Sequence, residues 1–426
     1  MQWQAVVHAG GKALVPLFVN EVRIQRNYIT KYCDVISLEV SMLEGDYYHD
    51  VVPFKSTLEV TLTMVPMSAG DTPTIDTGVA QKQFRYKATL FDGRDPTLEG
   101  NNPMASDKEK ANRASFTSVR FQLINPIIEF IRTKTVGGVY RNCTGASLIR
   151  SLLTAYSKDG TADTSIRLKG VTVAPRFNNV PREHIEIPHL TPMVEMPRVV
   201  ERVSGGIYST GFEFYLQGQF WYLYSPYNLK AYEDSPRSLT ILNVPKDRFP
   251  TPEASYRTTP TQVVLMATGE TKHNDFSEEM QLNVGNGVRF VDAAKVMESF
   301  GATDDNKLTV TRSKLINEFT IDERETGLNV VKQSAAKITA NYLTEYSNLA
   351  IRSGSFVQLA WENGDPDILY PGMAVRMLYL KNNEPMEVFG VLVGTDTFSM
   401  PNANHIGPRR FTSQVAITIF IARKTS

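Results

Sequence analysis

The side chains that most often carry chemistry are sparse and scattered in this sequence. Of its six histidines, only His184 and His189 lie close together, with Glu186 between them. On a strand His184 and Glu186 share a face, because side chains alternate, but His189 follows Pro188 at an odd spacing from both. A metal ion needs several converging ligands. The spacing therefore favours a solvated strand edge, and we predict no metal-binding residue and no cofactor.

Paired carboxylates are the second candidate, because an enzyme that cleaves cell-wall sugars needs two of them about 5–9 Å apart. Close acidic pairs occur at Asp365 and Asp367, at Glu278–Glu279 and at Asp304–Asp305. The first pair lies in a Gly-Asp-Pro-Asp stretch typical of a turn, and the others lie in polar stretches typical of a solvated surface. The sequence has no P-loop, no Gly-x-Ser-x-Gly elbow and no His-Glu-x-x-His motif. We predict no catalytic residue and expect that the protein is not an enzyme.

An aromatic run occupies the middle of the chain, between Gly211 and Tyr224. Aromatic side chains stack on sugars or bases in some proteins. At strand spacing, beside a predicted helix, packing in a core is the favoured interpretation. The run is typical of a β-hairpin that turns near Gln217 and Gly218, and its aromatic members are Phe212, Phe214, Tyr215, Phe220, Trp221, Tyr222 and Tyr224.

The composition excludes several classes of protein. The chain has 426 residues, of which 42% are hydrophobic and 21% charged, as in globular proteins that bury a large core. Lys plus Arg and Asp plus Glu each number 45, so the net charge is zero and a bulk electrostatic basis for binding nucleic acid or anionic membranes is missing. No apolar run reaches the roughly 18 residues of a membrane span, and no secretory signal is visible. Two cysteines are too few for a disulfide framework.

Alternation of apolar and polar residues predicts strands at both ends of the chain. The N-terminal strands are predicted at 33–43, 58–65, 84–91 and 118–124, and the C-terminal strands at 355–361, 373–379, 388–393 and 414–422. Between them, apolar residues at helical spacing predict helices over 145–157, over 191–204 with Pro197 in the first turn, and over 327–343. Weaker patterns predict strands at 239–244 and 261–267 and a short helix at 292–300.

These elements predict a mainly β fold with α+β insertions. We expect two antiparallel, tube-like β-barrel domains plus inserted α+β domains. The predicted bounds are 1–125 for the N-terminal barrel, 126–235 for an inserted α+β domain, 236–325 for a second insertion or linker, and 326–426 for the C-terminal barrel.

The order of several short motifs resembles the baseplate hub proteins of contractile-tailed phages, typified by the T-even central hub, and related tail hub proteins. The order carries the resemblance rather than any single motif. At 205–208 this chain has Gly-Gly-Ile-Tyr where the family has Tyr-Gly-x-Tyr. The matching motifs are EGD at 44–46, VPFK at 52–55, FRYKA at 84–88, FQLINP at 121–126, VYRNCT at 139–144, IPHL at 187–190, GIYSTG at 206–211 and LYPGM at 369–373.

The resemblance implies a structural protein of the virion. Such hubs hold two tube-like β-barrel domains per subunit, and three subunits form a pseudo-sixfold ring between a sixfold tail tube and a threefold spike. It therefore implies self-association as a homotrimer, with tail-tube and spike proteins as partners, in a tail baseplate assembled in the host cytoplasm. For interface segments we select the polar stretches 91–115 and 269–286, because long ordered loops are often functional.

Two alternatives remain open at this point. One is a tail-associated cell-wall hydrolase in which a carboxylate pair acts as acid and base. The other is a different baseplate component, such as a distal tail or wedge protein, which would differ in its number of copies per virion.

Overall fold

The fold consists mostly of β-strands, which confirms the predicted mainly β class. The computed structural model describes residues 1–65, 81–91, 116–158, 168–245, 255–274, 288–291, 319–323, 330–334, 350, 354–381, 384–402 and 410–422. Within these residues no helix is both long enough and apolar enough to cross a membrane.

The N-terminal sheet is antiparallel throughout, with the strand order β2-β1-β5-β6-β7-β4-β3. Its strands are β1 (Gln2–Ala9), β2 (Lys12–Leu14), β3 (Phe18–Asn27), β4 (Val35–Leu43), β5 (Glu59–Val65), β6 (Lys82–Leu90) and β7 (Phe116–Ile124). Between β4 and β5 the chain makes three short helical turns, α1 (Glu44–Asp46), a π-turn (Tyr47–Val51) and a 3-10 turn (Val52–Phe54). The alternation of apolar and polar residues in β4 correctly predicts which face is buried, because Ile36, Leu38, Val40 and Met42 all lie in the core.

A compact α+β module follows, as predicted. Its elements are α2 (Pro126–Ile131), β8 (Thr135–Cys143), α3 (Gly145–Lys158), β9 (Gly170–Val173), β10 (Arg182–Pro192), α4 (Met196–Val203), β11 (Glu213–Gln217), β12 (Phe220–Tyr224) and α5 (Ala231–Asp234). Strands β8 and β10 form a two-stranded ribbon, and β11, β12 and β9 form a three-stranded sheet. Pro197 lies in the first turn of α4. The aromatic hairpin packs inward, with Phe214 and Trp221 buried in the module core.

The C-terminal strands close into a six-stranded barrel. The remaining strands are β13 (Ser238–Asn243), β14 (Tyr256–Thr258), β15 (Gln262–Asn274), β16 (Val288–Val291), β17 (Phe319–Glu323), β18 (Val330–Ser334), β19 (Gly354–Glu362), β20 (Ala374–Lys381), β21 (Glu384–Pro401) and β22 (Phe411–Ala422). The ring runs β21-β20-β13-β15-β19-β22 and closes where β22 pairs with β21. A 3-10 turn at Pro366–Ile368 connects β19 to β20.

The barrel differs from the expected antiparallel arrangement at one strand. Strand β13 runs parallel to both of its neighbours, β15 and β20. Parallel neighbours need a crossover connection rather than a tight turn. Strands β13 and β15 come from the stretch 236–325, which we predicted as an insertion or linker, and they complete the barrel. We therefore propose that the barrel begins near Ser238 rather than at residue 326.

The helix predicted over 327–343 is wrong where the structure describes it. Val330–Ser334 is strand β18, which pairs antiparallel with β17. Over five residues the apolar spacing fits either a helix or a strand, and β-branched Val330 and Val331 favour a strand once a partner strand is present. The helix predicted at 292–300 lies outside the described residues.

One strand pair joins the two large β units into a continuous sheet. Strand β3 pairs antiparallel with β21, in a register that runs from Val22 opposite Ser399 to Asn27 opposite Gly394. Strands β1 and β3, at the two ends of the six-stranded part of the N-terminal sheet, also come into contact. Two tube-like β units therefore lie side by side. The C-terminal barrel is closed by hydrogen bonds, and the N-terminal sheet curls around its own core.

Closure of the barrel depends on a glycine. A Cβ atom at Gly390 would lie 2.0 Å from the carbonyl oxygen of Phe420, which is backbone and has no rotamer to adjust. We expect Gly390→Ala to cost about 3 kcal/mol of stability, the upper end for inserting a methyl group into a packed site. The matched control is Gly170→Ala, whose Cβ would meet the Phe220 ring at an ordinary 3.5 Å. Urea-unfolding midpoints of both variants check this, and equal midpoints would contradict it.

Candidate functional site

A buried guanidinium lies where the three parts of the fold meet. The Arg26 side chain, on β3, is only 5% exposed. Its Nε donates to Asp34 Oδ2 at 3.3 Å, its Nη2 to Asp367 Oδ1 at 2.6 Å, and its Nη1 to the carbonyl oxygen of Pro366 at 3.0 Å. Asp34 precedes β4, whereas Pro366 and Asp367 form the turn between β19 and β20. One cation thus ties the N-terminal sheet to the barrel.

A second cation reaches the same turn from the N-terminal sheet. Lys82 begins β6, and its Nζ lies 2.8 Å from Asp365 Oδ2 and 3.3 Å from Asp367 Oδ2. Asp365 also caps the turn, because its Oδ1 accepts a hydrogen bond from the Asp367 backbone N–H at 3.1 Å. The turn predicted for these acids is confirmed. The five charged residues are called the junction cluster below, and they are Arg26, Asp34, Lys82, Asp365 and Asp367.

The aromatic hairpin of the module contacts this cluster through hydrogen bonds. The Tyr215 hydroxyl, on β11, donates to Asp34 Oδ1 at 3.0 Å. Next to it, the Tyr28 hydroxyl donates to Gln217 Oε1 at 3.0 Å, and Gln217 Nε2 donates to the carbonyl oxygen of Leu369 at 2.6 Å. Two neighbouring sets of hydrogen bonds therefore join residues of the N-terminal sheet, the module and the barrel.

The two carboxylates beside Arg26 differ in their pKa. Burial raises the pKa of Asp34, and attraction to Arg26 together with the hydrogen bond from Tyr215 offsets only part of that effect. Burial also disfavours the charged form of Asp367, but there Arg26 and Lys82 outweigh it and hold the pKa below its ordinary value. Burial would likewise lower the pKa of Arg26, but Asp34 and Asp367 raise it well above the ordinary value.

Opposite pKa shifts in two neighbouring acids are also found in acid–base catalysts, so the geometry has to decide the role of this pair. All four carboxylate oxygens are already engaged: Asp34 accepts from Tyr215 and Arg26, and Asp367 accepts from Arg26 and Lys82. A catalytic pair needs an oxygen within hydrogen-bond reach of the substrate. The arrangement supports cohesion between the units rather than proton transfer.

The junction cluster forms one wall of a cleft of about 1060 Å³. Residues of β1, β5 and β6 and the turn of the aromatic hairpin at Gly218 line the rest of it. Because its walls belong to different units, the width of the cleft depends on the junction cluster. Other residues that line it include Val6, His8, Thr61, Arg85, Lys169 and Phe220.

The residues that the sequence suggested as metal ligands do not converge. His184, Glu186 and His189 are all exposed on β10, as expected for a solvated strand edge. Among the described residues no group of three or more His, Cys, Asp or Glu side chains is placed to hold a metal ion. The acids at 278–279 and 304–305 lie outside the described residues.

The two segments selected as interfaces are only partly visible. Residues 92–115 and 275–286 lie outside the described residues. The stretch 269–274, which was predicted as part of a polar loop, belongs to strand β15.

One signal of the junction cluster is present in the sequence of β3. Val22, Ile24 and Arg26 follow each other on one face of β3, and all three are buried. A charged residue that continues the apolar face of a strand must find partners in the interior. Nothing local indicates that those partners would be Asp34 and Asp367.

We predict that loss of the buried guanidinium is far more costly than loss of an exposed one from the same strand. Arg26→Met leaves Asp34 and Asp367 without their shared counter-charge, and we expect it to cost about 3–5 kcal/mol of stability. Arg23, also on β3, makes a half-exposed pair with Asp396, with N–O distances of 3.1 and 2.7 Å. Arg23→Met should cost about 0–1 kcal/mol. Chemical unfolding of both variants measures the difference, and similar losses would contradict a structural role for the cluster.

Burial also shifts the pKa of an acid in the module, Glu213. Glu213, which begins β11, is only 14% exposed in its side chain and accepts a hydrogen bond from Arg198 Nη2 at 2.9 Å. Burial raises the pKa of Glu213 to about 8, although Arg198 acts in the opposite direction. Since the unfolded carboxyl titrates near its ordinary value of 4.5, the folded state holds this proton more tightly than the unfolded state.

We predict that the stabilisation contributed by protonated Glu213 is complete below pH 4.5 and declines as the pH rises towards 8. The expected slope is about 1.4 kcal/mol per pH unit inside that window. Glu213→Gln stays neutral, so the melting temperature of the wild-type protein relative to this variant should fall between pH 5 and pH 9. Thermal melts at four pH values test this, with Glu233→Gln on the exposed side of α5 as the control. A constant difference would contradict it.

Comparisons with known proteins give structural similarity without sequence similarity. No protein-family model matches this sequence, and no curated protein matches it. A tail protein from Neisseria meningitidis MC58 has a TM-score of 0.41 at 9% identity, over 98% of this chain and 97% of that one. The 43 kDa tail protein of prophage MuSo2 from Shewanella oneidensis has a TM-score of 0.45 at 9% identity, over 98% and 96%. The E. coli c3393 protein, a component of the type VI secretion system, has a TM-score of 0.42 at 9% identity, over 98% and 77%.

Proposed function

We propose that this protein is a structural subunit of a phage-type tail, acting as the central baseplate hub between the tail tube and the spike. One observation carries the proposal. Two tube-like β units of six main strands each lie side by side in one chain, joined by the β3–β21 pair. This is the subunit architecture that the motif order implies.

The arithmetic of symmetry supports a hub. Three copies of a subunit with two tube-like units present six such units, which matches a sixfold tube, while the remaining parts repeat only three times and match a threefold spike. A closed ring of this kind needs heterologous contacts whose rotation brings the last subunit into contact with the first. We propose a homotrimer whose partners are the tail-tube and spike proteins of the same virion, in a baseplate assembled in the host cytoplasm.

The junction cluster supports a role in which the two units keep a fixed relative position. Arg23 and Asp396 link β3 to β21 at the surface, buried Arg26 pairs with Asp367 in the turn at 365–367, and partly exposed Lys82 pairs with Asp365 and Asp367. A subunit that adapts one symmetry to another can hold the ring only if its two tube-like units do not slide. The network resists such sliding because moving either unit would separate buried charges.

The same network supports a role without catalysis. The acids best placed for chemistry, Asp34 and Asp367, have all of their oxygens engaged within the protein. They line the cleft, as the acids of a cell-wall hydrolase would, but these internal bonds disfavour that alternative. A distal tail or wedge protein remains the second candidate, because it would use the same kind of β units in a different number of copies.

The decisive measurement is the mass of the purified protein in solution, alone and with the tube and spike proteins of the same virion. A hub should form a trimer that binds both, so that a complex of three hub copies with the spike is recovered. A stable monomer that joins neither protein would overturn the proposal. Six copies per virion, counted by imaging, would favour a distal tail or wedge component instead.

A further inference from the structure

Most strand edges among the described residues are short or covered. The N-terminal sheet ends at β2, and β14 is attached at the side of β15, and each has only three residues. The edge strand β11 is covered by the segment before β4, because the Leu216 N–H donates to the carbonyl oxygen of Tyr32 and Cys33 forms a bridge to Leu216. Short and covered edges are the usual protection against unwanted pairing.

The β8–β10 ribbon is different. Its strands have nine and eleven residues, and within the described part of the chain each pairs only with the other. One face packs on the module core through Val136, Ile185 and Ile187. The outer edges therefore present two long rows of backbone donors and acceptors, together with exposed apolar side chains at Val139 and Leu190.

Irregular backbone interrupts the ribbon near both of its ends. The register shifts between Ile187 and Thr191, and Leu190 within that bulge has a φ of 62°. A bulge bends and twists a strand away from any neighbour. Near the other end Asn142 on β8 has a φ of 50°, so the ribbon keeps unbroken register only between these two points, from His184 opposite Arg141 to Ile187 opposite Gly138.

The two edges carry opposite charge. Strand β8 contains Arg141 and no acid. Strand β10 contains Glu183 and Glu186 together with Arg182, whose Nε donates to the carbonyl oxygen of Ser204 within the module. Arg141 and Glu186 are both exposed, and the Glu183 side chain is 86% exposed. Opposite charges across a strand pair are stabilising and like charges are destabilising, so the β8 edge suits a β10 edge and rejects another β8 edge.

We propose that β8 of one copy of this chain pairs, edge to edge, with β10 of a second copy, and that Arg141 and Glu186 select this pairing. The proposal rests on the self-association in the proposed function and adds the surface that makes it. Because two different edges meet, the contact is heterologous and passes from copy to copy until a ring closes. Each β8 edge is thus occupied by the β10 edge of the next copy.

Charge reversal tests the pairing. Arg141→Glu and Glu186→Lys each place like charges across the contact, and each should weaken self-association about tenfold. The double variant carries the same two charges with their positions exchanged, and it should regain most of the lost affinity for self-association. Arg150→Glu reverses an exposed charge on α3 of the same module and serves as the matched control. Analytical ultracentrifugation over a concentration series gives the dissociation constants, and circular dichroism confirms that each variant is folded.

Hydrogen exchange supplies a readout that does not depend on charge. In the wild-type oligomer the backbone amides of β8 and β10 should be protected from exchange on both edges. In the Arg141→Glu variant the same amides should exchange faster at concentrations where that variant is monomeric. If the wild-type protein self-associates but all variants do so equally, the ribbon pairing is overturned while the hub proposal stands. If the wild-type protein is monomeric at every concentration, both proposals are overturned.

Discussion

The arrangement of the three parts of the fold depends on one buried cation, the Arg26 guanidinium, which needs carboxylates beside it. A guanidinium removed from water is costly unless carboxylates with good geometry surround it. Arg26 finds them in Asp34 and Asp367, which come from distant stretches of the chain. Tyr215 and Lys82 then engage the remaining oxygens of these acids. Arg26 and Asp34 meet within the N-terminal part, but Asp367 and Lys82 are paired only once the barrel is in place, and Tyr215 reaches Asp34 only once the module is in place.

Hydrophobic burial and this polar network have different effects. Each of the three parts has its own apolar core, and burial of such cores is favourable in many relative orientations because it has no direction. Hydrogen bonds and ion pairs do have direction, and a half-satisfied network in a poorly hydrated site is costly. The cores thus stabilise the units, and the network around Arg26 selects one arrangement of the units relative to each other.

The same distinction applies to the surfaces that meet other molecules. A β-rich protein exposes edges that attract any strand, and this fold shortens or covers most of those that the structure describes. The β8–β10 ribbon keeps long edges and gives them opposite charges instead. Charge chooses the partner edge, while the backbone supplies most of the contact. Such a surface promotes assembly in one direction, as a ring requires.

The sequence by itself determined which stretches are strands and which faces they bury, because alternation is a local property of the chain. Ile36 to Met42 in β4 and the aromatic hairpin are examples. Local pattern failed at Val330–Ser334, where a partner strand decided between helix and strand. It could not place β13 parallel to its neighbours, or pair β3 with β21, because strand pairing is set by tertiary contacts and not by local pattern. Arg26 could be noticed as a charge on an apolar face, but only the tertiary structure brought Asp34, Lys82 and Asp367 to it, since a buried charge is compensated by whatever the fold brings near.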